Sequence, residues 1–234
     1  MLFTIQGYLQ DYLSKRNLAD SDGYAVQLAN LYFHHRSSMD DVQFLRRGWH
    51  HRDKIKTPQG VNWLTVPVKK KGHYHQQIRE VEIDNQSDWR RRHLSTVQVS
   101  YSKAPNFQRV YGELEGIYLR EHTNLIDLNL DLLHFAASAL SIETPIVFAS
   151  DYKVSSSSSH RLSDLVKAVG GTVYLTGTGS EDYLDEIPFS DSGIKVVWQR
   201  FEHPVYPQLH GAFEPMLSVL DYLMMADNLH RSKV

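Results

Sequence analysis

Residues 162–199 read LSDLVKAVGGTVYLTGTGSEDYLDEIPFSDSGIKVVWQ, and their punctuation decides the fold class. Residues 162–169 predict a helix, and Gly170-Gly171 ends it, because glycine reaches the left-handed backbone that closes helices. Residues 172–175 predict a strand, Gly177-Thr178-Gly179 a turn, residues near 181–185 a short helix and residues 194–199 a last strand. Upstream, residues 145–149 predict a short buried strand before the serine loop 155–159. Strand, helix, strand, helix at this spacing predicts an α/β protein. The expected architecture is a single domain whose mainly parallel sheet is covered by helices on both faces. A closing helix is expected over 213–225.

Working outward, the apolar spacing of Leu125, Leu128, Leu132, Leu133, Phe135, Ala136 and Leu140 predicts a core helix over 124–140. Helices are also predicted over 88–101, with Ser87 before it as a cap, and over 107–121 after Pro105. Residues 3–16 have helical spacing, and 24–36 form an apolar segment compatible with helix or strand. Between them and the core helix lies residues 39–68, MDDVQFLRRGWHHRDKIKTPQGVNWLTVPV. Residues 41–44 predict a strand, 46–60 a basic loop with a turn at Thr57-Pro58-Gln59-Gly60, and 63–68 a second strand. A short strand is expected over 80–84.

That 39–68 stretch mixes aromatics with charge in a way that neither a solvated face nor a core strand needs, which marks it as a candidate site. Arg46, Arg47, Arg52, Lys54 and Lys56 could clamp a phosphate or carboxylate. Asp40, Asp41 and Gln43 stand at a strand start, as general bases or ligand anchors. An ion pair of Asp40 or Asp41 with Arg46 or Arg52 is the plainer alternative. Residues 46–103 hold thirteen Lys/Arg against five Asp/Glu, inside a chain of net charge −2. A basic segment in a near-neutral protein predicts an anionic small ligand rather than nucleic acid. Two faces that attract one another would give the same balance.

Further along, two prolines stiffen His203-Pro204-Val205-Tyr206-Pro207-Gln208, which would present His203, Tyr206 and Gln208 with little entropy to lose. Histidine is the usual acid/base residue; packing is the alternative. Ser158, Ser159 and Arg161 could meet an anion at a helix start, although serine tracts are commonly plain loops. Gly177 and Gly179 lack the third glycine of a dinucleotide fingerprint and the Gly-Lys-Ser/Thr of a P-loop, leaving a tight turn beside Tyr183 and Asp185. The histidine pairs His34-His35, His50-His51 and His73/His75 have no third ligand placed by spacing, so no metal is expected.

There are 234 residues, 41% of them hydrophobic, and no cysteines. That is enough chain for a full core, and it excludes a disulfide scaffold and a thiol nucleophile. No apolar run approaches membrane-spanning length and no leader pattern opens the chain, so neither membrane nor secretion is expected.

Several motifs occur in a recognisable order: Asp40-Asp41-Val42-Gln43-Phe44, Trp49, Arg52, Ile55-Lys56-Thr57, Gly60, Trp63-Leu64-Thr65-Val66-Pro67-Val68, and Trp89 with His93. Tyr101-Ser102-Lys103-Ala104-Pro105, Arg161-Leu162 and Tyr183-Leu184-Asp185 follow. The His203–Gln208 run and residues 213–221 (FEPMLSVLD) close the order. Together they resemble the WbqC-like family of bacterial proteins, over about residues 39–223. The expected organisation is a divergent segment 1–38 and a family domain 39–234. The Gln-Pro, aromatic-Pro-Trp and Gly-Tyr-Phe motif with which members usually open is missing from 1–38.

The resemblance implies a cytoplasmic acyl or aminoacyl transferase that modifies a nucleotide-linked amino sugar in bacterial surface polysaccharide (O-antigen) biosynthesis. Its partners would be that anionic nucleotide sugar and an activated acyl donor or carrier protein, with no cofactor, nucleic acid or membrane. In that scheme Arg52 and Lys56 hold phosphate, Trp49 and Trp63 shape the pocket, and Asp41 or His203 takes the acceptor amine's proton. The altered start favours the alternative, a non-catalytic protein that binds a sugar nucleotide or a partner enzyme.

Overall fold

The basic run expected to be a loop is a strand. In the computed structural model, which describes residues 25–26, 40–46, 48–70, 75–140, 146–199 and 204–226, β2 (Arg52–Thr57) and β3 (Gly60–Thr65) form an antiparallel hairpin. Arg52, Lys54 and Lys56 alternate with Asp53, Ile55 and Thr57, so a period of two was present but carried by charges. Ile55 is fully buried. The turn is closed by Thr57, whose Oγ1 donates to the Gly60 carbonyl at 2.8 Å. Gly60 sits at φ 106°, a conformation that side chains disfavour.

The chain divides into two compact units where the sequence predicts one domain. The first comprises the described residues of 43–143 and 203–234. Besides the hairpin it contains helices α1 (Trp89–Tyr101), α2 (Phe107–Tyr118) and α3 (Leu125–Ala139), and the later helix α6 (Val219–Met225). Its core gathers Ile78, Trp89, Tyr101, Leu114, Leu125, Leu128, Leu223 and Met224, each buried. Burying a side chain of this size stabilises by roughly 1.5–3 kcal/mol, which is why the three periodic helices fall within a few residues of their expected places.

The second unit comprises the described residues of 7–42 and 144–202. A three-stranded parallel sheet runs β1 (Ala25–Val26), β4 (Val173–Gly177), β5 (Lys195–Gln199), with β4 in the middle. Helix α4 (Ser158–Ala168) precedes β4, and the one-turn α5 (Ile187–Ser190) precedes β5. Val166 of α4, Tyr174 of β4, Phe189 of α5 and Ile194 form its core, with the Tyr174 and Phe189 rings stacked at 4.8 Å. The protein is therefore mixed helix and strand, with its described strands in two small sheets.

Other expectations are corrected locally. Residues 41–44 make only a bridge, Gln43 to Gln77, and the Asp40 and Asp41 carboxylates are bound by Ser150 and Arg161. Residues 146–148 have no regular structure and lead into a 3-10 turn, Ala149–Tyr152, where Ser150 is held by Asp40. The 63–68 and 80–84 strands shrink to β3 and to bridges at Val68, Glu82 and Ile83. Helix α4 starts four residues earlier than expected, inside the serine tract. Residues 181–183 are a turn, and the short helix falls at 187–190. The last helix begins only at Val219, where the Ser218 hydroxyl accepts the Leu220 N–H at 3.3 Å; Pro215 and a left-handed Met216 (φ 58°) precede it. The expectations for 3–16, for most of 24–36, and for His34, His35, Arg47, His73 and His203 lie outside the described residues.

Candidate functional site

Strand pleating puts Arg52, Lys54 and Lys56 on one side of β2, facing Thr65, Trp63 and Val61 of β3 in register. Trp49, just before the strand, meets Trp63 with ring centroids 4.8 Å apart. The Arg52 guanidinium lies 4.5 Å over the Trp63 ring, and the Lys54 ammonium lies 5.4 Å from Trp49 and 5.3 Å from Trp63. Cations over indole faces are held by the ring quadrupole and worth about 0.5–1 kcal/mol when exposed. Trp63 keeps 36% of its surface exposed. Two indoles and two cations thus form an accessible aromatic and positively charged face, able to stack a ring and hold an anion.

Lys56 belongs to the same side of β2 but is used differently. It is 5% exposed, and its ammonium donates to Gln208 Oε1 at 3.2 Å, to the Gly211 carbonyl at 3.4 Å and to the Ala212 carbonyl. Its three donors are thereby all engaged. Gln208 is fixed in turn by the backbone of Glu214, which gives Oε1 an N–H at 2.8 Å and accepts from Nε2 at 2.9 Å. Behind Lys56 stands Asp221 of α6, wholly buried, which accepts from the hydroxyls of Tyr101 at 2.6 Å and Tyr206 at 2.9 Å. The Tyr101 hydroxyl accepts the Lys56 N–H at 3.1 Å. Burial raises the Asp221 carboxyl above its ordinary range, and the two phenols and Lys56 pull it back. Burial, and then Asp221, raises Tyr101 too, so it stays a neutral donor.

Three histidines pack under this region as neutral rings. His50 and His51 flank Phe44, with centroids 5.6 and 5.3 Å away, and His93 meets Trp89 edge-on at 5.2 Å. Burial lowers each of them from 6.5 to about 4. A positive charge there has lost its water, so none is a ready acid near neutral pH.

In the second unit, Asp41 Oδ2 accepts from Arg161 Nη2 at 2.6 Å, and Arg161 Nη1 donates to the Val154 carbonyl at 2.6 Å. Asp41 Oδ1 is buried without a hydrogen-bond partner among the described residues. Asp40 holds Ser150 twice, accepting from its N–H at 3.1 Å and its hydroxyl at 2.6 Å. Ser159, in the first turn of α4, accepts the Asp185 N–H at 2.9 Å. Gly177 ends β4 and Gly179 lies in the 3-10 turn that follows; Tyr183 exchanges a hydrogen bond with Ser180 at 2.8 Å. Asp185 comes just after this carboxyl end of β4, where parallel sheets commonly bind ligands.

The residues singled out in the sequence are therefore divided. Gln43, Trp49, Arg52, Lys56, Trp63, Tyr206 and Gln208 belong to the first unit, and Asp40, Asp41, Ser159, Arg161, Gly177, Gly179 and Tyr183 to the second. Asp41 pairs with Arg161, not with the sequence-local Arg46 or Arg52. Tyr101 and Asp221 have no site role in the sequence reading, and Lys54 is there only one of five possible anion-binding cations. The signal for Asp221 is a lone acid in the apolar run LSVLDYLMM. Among the described residues, no group of His, Asp and Glu could hold a metal ion, and no helix is long and apolar enough to cross a membrane.

A two-sheet mixed α/β protein with an aromatic and cationic hairpin face is the class that these observations define. Residues 34–232 match the WbqC-like protein family, and the chain belongs to it. It is 40% identical over 186 residues to the "Uncharacterized protein Rv1507c" of Mycobacterium tuberculosis (strain ATCC 25618 / H37Rv), covering 79% of this chain and 80% of that one. No solved structure matches it significantly.

Proposed function

We propose that the protein binds a nucleotide-linked amino sugar on the β2–β3 hairpin. It would serve acyl or aminoacyl transfer to that sugar in the cytoplasmic stage of bacterial surface polysaccharide biosynthesis. The observation that carries this reading is the Trp49/Trp63 pair flanked by Arg52 and Lys54. Indole faces stack sugar rings and bases, and the adjacent cations suit phosphate. The donor would be an activated acyl group, free or on a carrier protein.

The test is thermal unfolding of the purified protein against nucleotide sugars, free nucleotides and acyl donors. A ligand of the folded state raises the melting temperature by mass action. A shift with a nucleotide sugar that Trp63→Ala and Arg52→Ala both abolish supports the reading; no shift with any member of the panel sinks it. A second reading is binding without transfer. It is favoured by Asp41, whose carboxylate is committed to Arg161 and whose other oxygen is buried. Incubation of the bound sugar with acyl donors separates the two: N-acylated product supports transfer, and unaltered sugar supports binding alone.

A further inference from the structure

We infer that the outer edge of β3 pairs with the β3 of a second copy of this chain, antiparallel about a two-fold axis at Asn62, to make a four-stranded sheet. The inference is independent of the ligand reading above. Among the described residues β3 pairs with β2 alone, and five of its six positions are exposed. Its sequence, Gly60-Val61-Asn62-Trp63-Leu64-Thr65, has no charge and no proline. Edge strands ordinarily carry lysine, proline, a bulge or a covering segment, which stops other strands from adding to them.

The register of the hairpin says which backbone groups face outward. Thr57 and Gly60 close the two-residue turn as a hydrogen-bonded pair, so Ile55–Asn62 and Asp53–Leu64 are such pairs too. Val61, Trp63 and Thr65 therefore direct their N–H and C=O away from β2. The corresponding edge of β2 is already covered: the Lys56 N–H donates to the Tyr101 hydroxyl at 3.1 Å, and the Lys54 carbonyl accepts the Ser218 N–H at 2.8 Å. On β3 the Thr65 backbone meets the His93 ring, which leaves Val61 and Trp63 as the open positions.

One antiparallel register satisfies both of these residues on both chains. With the two Asn62 residues opposed, Val61 of each copy faces Trp63 of the other, and each such pair exchanges both of its hydrogen bonds. A β-branched residue against an aromatic one is a favourable cross-strand pair. Charge supports a second copy as the occupant. No like charges oppose one another across the new edge, and the two β2 strands lie three strand spacings apart, roughly 14 Å, beyond the screening length in physiological salt. Pairing also ends there, because the outer edges of the four-stranded sheet are the covered edges of β2, so the assembly is a closed dimer. The strand-to-strand contact is small, and association is accordingly weak and concentration-dependent.

The experiment is sedimentation equilibrium of the whole protein from about 10 μM to 1 mM, a range suited to an interface at the small end, in wild type and Val61→Lys. Wild type should pass from monomer to dimer, and Val61→Lys should stay monomeric, because its charge would be set against an indole in the paired edge. Val61 is 42% exposed, so this variant should melt close to wild type. The chain has no cysteine, so a single introduced one reports contact directly even if that variant folds poorly. Oxidised Asn62→Cys should cross-link to a dimer, since opposed residues of a non-hydrogen-bonded pair lie about 4.5 Å apart at Cα. Thr65→Cys should not, its two copies being about 20 Å apart in this register. A wild type monomeric across the range, a dimer that survives in Val61→Lys, or equal cross-linking of the two cysteine variants overturns the inference.

Discussion

The hydroxyl of Tyr101, in the last turn of α1, donates across 2.6 Å to the carboxylate of Asp221, a residue 120 positions later that no water reaches. This bond joins two motifs that are far apart in the chain. Removing one partner leaves a buried charge short of a donor, which costs about 1.5–3 kcal/mol. Tyr101→Phe should lower the unfolding free energy by that amount, measured by urea denaturation. In an Asp221→Asn background the same change should cost less, because the two residues act as a pair.

Asp221 also makes a pH prediction. Its carboxyl is raised by burial from the ordinary 3.8, so the folded protein binds that proton more tightly than the unfolded chain does. The sign follows: the contribution is full below 3.8 and is lost as pH rises through the higher folded value. The stability of wild type relative to Asp221→Asn should therefore fall as pH rises above 3.8. A flat or rising difference would contradict the assignment.

The histidines have the opposite slope. His50, His51 and His93 are lowered from 6.5 to about 4, so between those values the unfolded chain binds more protons than the folded one. Stability should be full above 6.5 and decline as pH falls towards 4, by on the order of 1 kcal/mol for each ring at pH 5 after allowance for residual solvent. Melting curves from pH 7.5 to 5 should show this decline, and His93→Phe should make it shallower.

Lys56→Met should be among the more damaging single changes in the first unit. It keeps the apolar stem but leaves Gln208, Gly211 and Ala212 without their shared donor, at a cost of about 2–4 kcal/mol. Proteolysis within 204–216 should accelerate in this variant; unchanged cleavage there would mean that Lys56 does not fasten the segment.

Arg161→Lys should not substitute for Arg161. The guanidinium reaches Asp41 and the Val154 carbonyl with separate nitrogens at 2.6 Å each, and a single ammonium lacks that fork. A loss of about 1–3 kcal/mol is expected, close to that of Arg161→Ala. Full retention in the lysine variant would show that charge alone is needed.

Helices were the most legible part of the sequence, because 124–140 and 107–121 bury residues at helical spacing and their neighbours add little to that signal. The β2 strand is hidden in the sequence, although its alternation is regular, because one of its sides is all lysine and arginine and so resembles a loop. The site was legible in its ingredients but not in its pairings. Asp41 and Arg161 were both singled out, yet the partners proposed for Asp41 were its sequence neighbours. Lys56 was assigned to a ligand because Gln208, 152 residues away, and the carbonyls of Gly211 and Ala212 leave no local trace. Two backbone oxygens cannot be seen in any side-chain pattern.

The first unit is split in the chain, with residues 144–202 building the second unit before the chain returns at 203–234. During synthesis the hairpin emerges early, before any of the three acceptors of Lys56 has been made. Nascent chains halted near residue 200 would therefore carry an unanswered ammonium and an incomplete core, and they should remain open to protease. Chains carried through Met225 have Asp221, Gln208 and the carbonyls of Gly211 and Ala212 in hand. The order of translation thus makes the C-terminal segment a latch on residues completed some 150 positions before it.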